Sequence, residues 1–175
     1  MSPFIQRLIR ELSTHPPQID LNNVFLAARE ALLKFGGTDE YDPYPQAEWR
    51  KELDQTDLSA QEIKLLIRHL KLFVRQHPAH TMVGTAIWAL TATNSKAEAH
   101  FFRDQISVHA KSRNSHAVDQ ADYGLLRLGL DHIRWNSNQW IEPWTNLLPE
   151  SYWIAVSNYL RRSRRQRIRF APGRH

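Results

Sequence analysis

Ser59-Ala60-Gln61-Glu62-Ile63-Lys64-Leu65-Leu66-Ile67-Arg68-His69-Leu70-Lys71-Leu72-Phe73-Val74 is the stretch on which the fold turns. Serine followed three residues later by glutamate is a capping box, in which each side chain satisfies a backbone N–H that a helix start leaves without a partner. Behind it Ile63, Leu66, Ile67, Leu70, Phe73 and Val74 recur at helical spacing, so one stripe is apolar while Lys64, Arg68 and Lys71 fall elsewhere. A stripe of this kind stabilises nothing until another element covers it. His77-Pro78 ends the helix.

Toward the N-terminus, Ser2-Pro3 reads as N-cap and first helical position, with Phe4, Ile5, Leu8, Ile9 and Leu12 following before His15-Pro16-Pro17 breaks the run. Asp20 is expected to cap a second helix carrying Val24, Phe25, Ala28, Ala31, Leu32 and Phe35, stopped by Gly36-Gly37. Toward the C-terminus, helices are expected over His80–Thr93, from Ser95 through Ala110, over His116–Leu128 with Gly129 as the stop, and over Glu150–Arg167. Residues 38–57 read as a loop stiffened by Pro43 and Pro45, with one turn around Ala47–Leu53. Trp135, Trp140 and Trp144 fall in a less periodic stretch expected to cover the end of the stack. No segment alternates apolar and polar residues long enough for a strand, so the expected class is all-α.

Sliding the chain on itself by 35 residues places Val83 on Val118, Ala86 on Ala121, Trp88 on Tyr123 and Leu90 on Leu125. The helices before each keep a similar offset, with Leu65 and Leu66 near Phe101 and Phe102. That is the pattern of helix pairs that bury their apolar faces only by stacking on the next pair. On these positions, residues 60–129 resemble the inner helices of HEAT-like repeats. The resemblance implies a compact stack of antiparallel helix pairs with irregular ends. Small single-domain chains of this architecture also resemble bacterial toxin immunity proteins, including those of contact-dependent growth inhibition. This second resemblance implies a bacterial, cytoplasmic binding protein that covers the active site of a cognate toxin.

The net charge of +5 divides unevenly. Residues 161–175 hold seven arginines and no acid, leaving 16 basic against 18 acidic residues, a net of −2, in residues 1–160. The expected organisation is a helical domain over 1–160 and a basic tail over 161–175. The absence of cysteine excludes disulfides, thiolate metal sites and a cysteine nucleophile, and it suits a reducing compartment. The first residues lack the pattern of a secretory signal, no apolar run approaches the length of a membrane helix, and a cytoplasmic location is expected.

Chemistry-bearing patterns are sparse. His77 and His80 are three apart but straddle a helix break, which suits capping better than a metal; no metal or cofactor is expected. The six glycines form no phosphate-binding loop, and no serine sits in a nucleophile elbow. The chain is therefore expected not to be an enzyme.

Two surfaces remain. In residues 38–57 seven acids oppose Arg50 and Lys51, a net of −5, with Tyr41, Tyr44 and Trp49 interleaved. Carboxylates steer a basic partner while aromatic rings supply buried contact area. Asp39, Glu40, Tyr41, Asp42, Tyr44 and Trp49 are accordingly the expected contacts to a protein partner, a basic toxin domain; the other reading of the same residues is a solvated acidic linker whose aromatic rings pack back on the first helical hairpin. The second surface is Arg161, Arg162, Arg164, Arg165, Arg167 and Arg169, which could neutralise nucleic-acid phosphates, form a solvated helix terminus, or dock on the chain's own acidic loop.

Overall fold

One carboxylate joins the first and the middle helices. Ser59 and Glu62 form the reciprocal box at the start of α4 (Ala60–Gln76): the Glu62 amide donates to Ser59 Oγ at 3.3 Å, and the Ser59 amide donates to the Glu62 carboxylate at 3.0 Å. The same carboxylate accepts the amide of Ser2, just ahead of α1 (Pro3–Thr14). Three hydrogen bonds to its ionised form, the Ser2 amide the largest influence, hold the Glu62 pKa at about 2.

The computed structural model describes residues 1–14, 18–36, 47–133 and 150–169, and all regular structure within them is helical. The other elements are α2 (Gln18–Gly36), α3 (Ala47–Asp54), α5 (Val83–Leu90), α6 (Ala99–Lys111), α7 (Ser115–Arg127) and α8 (Glu150–Arg169), with 3₁₀ turns at Thr91–Thr93 and Lys96–Glu98. Helix α2 begins ahead of Asp20, which stands in the first turn rather than at the cap, where its charge still suits the helix dipole. The helix expected over His80–Thr93 is shorter in α form and tightens into 3₁₀ at Thr91, after which Asn94 turns the chain at φ 51°. Gly129, at φ 63°, closes α7 in a Schellman motif, with Leu130 N donating to Leu125 O and Gly129 N to Leu126 O.

Packing follows the order of the pairs. Helix α1 lies against α2 and α4, α2 against α5, α4 against α5, α5 against α7, and α6 against α7 and α8. The pairs α4/α5 and α6/α7 are thus the two halves of the 35-residue offset, stacked through α5 and α7. Small residues permit the approach: a Cβ on Gly84 of α5 would stand 2.4 Å from the His116 ring of α7. The core between the pairs is apolar, with Phe25, Leu66, Leu70, Ile87 and Leu90 fully covered and Phe25 edge-on to Phe73 at 5.1 Å. Arg29 enters it from α2, its guanidinium 4.3 Å from the Trp88 ring and donating to Trp88 O and Thr91 Oγ1.

The two histidines around the α4–α5 break serve that break. His80 Nδ1 accepts the Met82 amide at 3.0 Å, and both imidazoles lie against the Phe73 ring.

Candidate functional site

Of the acidic surface, Asp39, Glu40, Tyr41, Asp42 and Tyr44 lie outside the described residues. Trp49, on α3, is half-buried: its ring meets Phe4 edge-on at 5.8 Å and lies 3.8 Å below the Arg7 guanidinium. Arg7 also pairs with Glu52 at 2.8 Å, and Arg50 reaches Glu30 at 3.9 Å. Trp49 and Glu52 therefore fasten α3 to α1, while Asp54 and Asp57 remain exposed. The end of α3 is held from α2, where Lys34 Nζ donates to Leu53 O, Asp54 O and Thr56 O at 2.6, 3.3 and 3.0 Å.

Four arginines of the run, Arg161, Arg162, Arg164 and Arg165, form an outer face of α8. The helix docks through Tyr152, Val156 and Tyr159, which repeat at i, i+4 and i+7 and are buried. At about 100° per residue, Arg161, Arg162, Arg164 and Arg165 lie on the opposite side, within an arc of roughly 160°. All four are exposed, and no side chain from Arg161 to Gln166 is buried. Arg161 bonds within its own helix, to Asn158 Oδ1 at 3.0 Å and Ser157 O at 3.4 Å. Among the described residues, Arg162, Arg164 and Arg165 have no hydrogen-bond or ion-pair partner. Arg167 and Arg169 continue the same helix, so the basic segment is helical through Arg169.

What positions that face is a polar seat between α7 and α8. The Tyr152 hydroxyl donates to Asp119 Oδ1 at 3.1 Å and reaches Ser115 O at 3.5 Å; Tyr159 donates to Asp131 O at 3.3 Å. Asp122, 2% exposed, accepts the Ile133 amide at 2.6 Å, tying the chain beyond α7 back onto it. Desolvation raises the Asp119 carboxyl to about 6, against which the Tyr152 hydrogen bond works, and it raises both tyrosine hydroxyls. Nearby on α6, His109 is fully buried with neither ring nitrogen hydrogen-bonded among the described residues, and burial lowers its pKa and that of His116.

A carboxyl near pKa 6 beside a tyrosine is a combination that acid–base catalysis uses. Here Tyr152 is buried and Asp119 half-buried between α7 and α8, and an open cleft among the described residues lies elsewhere, lined by Met1, Ser59, Gln61, Glu62, Lys64, Leu65 and Arg68 with a volume of about 500 Å³. Its one carboxylate is Glu62, occupied in capping and ionised down to pH about 2, which leaves it no proton to exchange near neutrality. Among the described residues, no three His, Asp or Glu side chains converge as a metal ion requires.

The seat was the part that sequence reading missed. Its trace is Asp122 inside the stripe Val118, Ala121, Leu125: a carboxylate at a core position must find a hydrogen bond. Compared with protein-family models, curated protein sequences and solved structures, the chain matches none of them.

Proposed function

We propose that the protein is a non-catalytic binding protein whose α8 engages the phosphate backbone of nucleic acid. The observation that carries this reading is the placement of Arg161, Arg162, Arg164 and Arg165 on the exposed side of α8, directly opposite its docked side, with three of them unpartnered among the described residues. Ordered charges on a helix seated by tyrosines lose less freedom on binding than the same charges on a loose tail. Two to four phosphate contacts release about as many counterions, so log K should fall against log salt with a slope of about −2 to −4.

Fluorescence anisotropy with a labelled 20-base-pair DNA duplex measures that slope. Replacing Arg161, Arg162, Arg164 and Arg165 by Gln should flatten it and weaken binding at least tenfold at ~100 mM salt. Absence of binding at ~50 mM salt, or an unchanged quadruple variant, overturns the reading.

A second reading is supported by the exposed Asp54 and Asp57 at the edge of the acidic segment. On it the chain is a cytoplasmic immunity protein that occludes a basic toxin domain through Asp39, Glu40, Tyr41, Asp42, Tyr44 and Trp49. Charge reversal at Asp39, Glu40 and Asp42 should then abolish capture of such a domain while deletion of 161–175 has little effect. The nucleic-acid reading expects the reverse.

A further inference from the structure

We infer that the arginine-bearing half of α8 is shaped for the major groove of duplex DNA. The inference rests on the phosphate-binding reading above and adds which nucleic acid is bound and how. Around the helix axis the four exposed arginines fall in the order Arg164, Arg161, Arg165, Arg162, each separated from the next by roughly 40–60°. Arg161 and Arg165, one turn apart, form the middle of the face. Arg164 and Arg162 flank it on opposite sides.

A helix touching a single strand needs one row of charge along one edge. A helix lying in a groove needs charge on both flanks, because a wall of phosphates rises on each side, and a central row aimed at the base edges. The B-form major groove, about 12 Å wide, admits a helix about 10–12 Å across. The major groove of duplex RNA is too deep and narrow for side chains to read.

Exposure agrees with this geometry. No side chain from Arg161 to Gln166 is buried, so the helix is free on the side it must present. Single strands are gripped by aromatic rings on which bases stack. The rings of α8 are otherwise engaged: Tyr152 and Tyr159 are buried, and Trp153 is half-buried against Tyr152 at 4.5 Å. From Arg161 to Gln166 there is no aromatic residue at all. In the groove, Arg165 and Arg161 face the floor, where arginine pairs with guanine O6 and N7. Arg161 is already steered along the helix by Asn158.

The test compares the full chain on three probes of one sequence: a 20-base-pair DNA duplex, its single strand and the corresponding RNA duplex. The DNA duplex should bind at least about tenfold more tightly than either of the others. R162Q/R164Q should weaken duplex binding for all sequences and reduce the salt slope by about 2. R161Q/R165Q should in addition remove the several-fold loss that 7-deazaguanine, which lacks N7, imposes on the unsubstituted chain. Equal binding of the three probes overturns the groove inference while leaving phosphate binding in place, as does preference for RNA or for the single strand. No binding to any probe removes both. Far-UV circular dichroism of each variant, expected unchanged at these exposed sites, separates lost contacts from lost helix.

Discussion

The interface among α2, α4 and α5 and the interface between α7 and α8 do the same job with different materials. The first is apolar apart from Arg29, which brings no titration near neutrality: Phe25, Leu66, Leu70, Ile87 and Leu90 are fully covered, and Phe25 meets Phe73 edge to face. The second puts the Asp119 carboxylate under a tyrosine hydroxyl, with a second carboxylate, Asp122, holding a backbone amide alongside. Apolar contact is insensitive to protons and tolerant of small sliding. A partly buried carboxylate–hydroxyl pair fixes direction and register but depends on which form the acid takes. The helix that carries the arginines is the one seated on the proton-dependent interface.

Substitutions should separate the two. Phe25→Ala leaves a cavity in the apolar interface and should cost about 3–5 kcal/mol, lowering the melting temperature by roughly 10 °C equally at pH 5 and pH 7.5. A marked difference between the two pH values would break the comparison at its apolar end.

At the polar end, Asp119 is raised from 3.8 to about 6 in the folded chain, so folding takes up a proton between those values. Its contribution therefore grows as the pH falls from about 6 toward 4. His109 and His116 act in the opposite sense. Their pKa values lie below the ordinary 6.5, so stability present above 6.5 is lost as the pH falls beneath it. The two trends offset each other in the native chain. Asp119→Asn keeps the acceptor for Tyr152 but removes the titration. Its melting temperature should exceed the native value by a few degrees at pH 7.5, and the gap should begin to narrow below about pH 6 and close near pH 4. Parallel profiles for the two proteins would mean that Asp119 pays no desolvation cost.

The smallest effect should come from Glu62→Gln, which leaves the capping geometry but weakens its acceptor, costing about 1 kcal/mol or less in urea melts. Because the Glu62 pKa is lowered from 4.5 to about 2, the difference should hold constant above pH 5 and close as the pH falls through that window.

Much of this was legible in residue order because it is local. Capping, periodicity and the glycine stop are written within a turn or two, and Ser59, Glu62 and Gly129 do what their types and spacing imply. The 35-residue offset anticipated which pairs would stack. Trp49 was readable in two ways, as an exposed contact among charges or as a ring packed back on the first hairpin, and only the fold chooses: Phe4 and Arg7 of α1, remote in sequence, occupy its ring. The arginines were plain as charge. Their face became meaningful only once Tyr152, Val156 and Tyr159 fixed which side of α8 is inward, and the partner of Tyr152 lies a helix away on α7.

Lys34 carries a consequence for how this protein can diversify. Its ammonium, extended from α2, grips three carbonyls at and just beyond the end of α3, and Trp49 and Glu52 secure the same helix to α1. The helices on either side of residues 37–46 are thus held together by contacts outside that stretch, and doubling the length of a connection between fixed points costs only about 0.6 kcal/mol. The acidic sequence between α2 and α3 can be rewritten, shortened or exchanged like an interchangeable cartridge while the helical frame stays as it is.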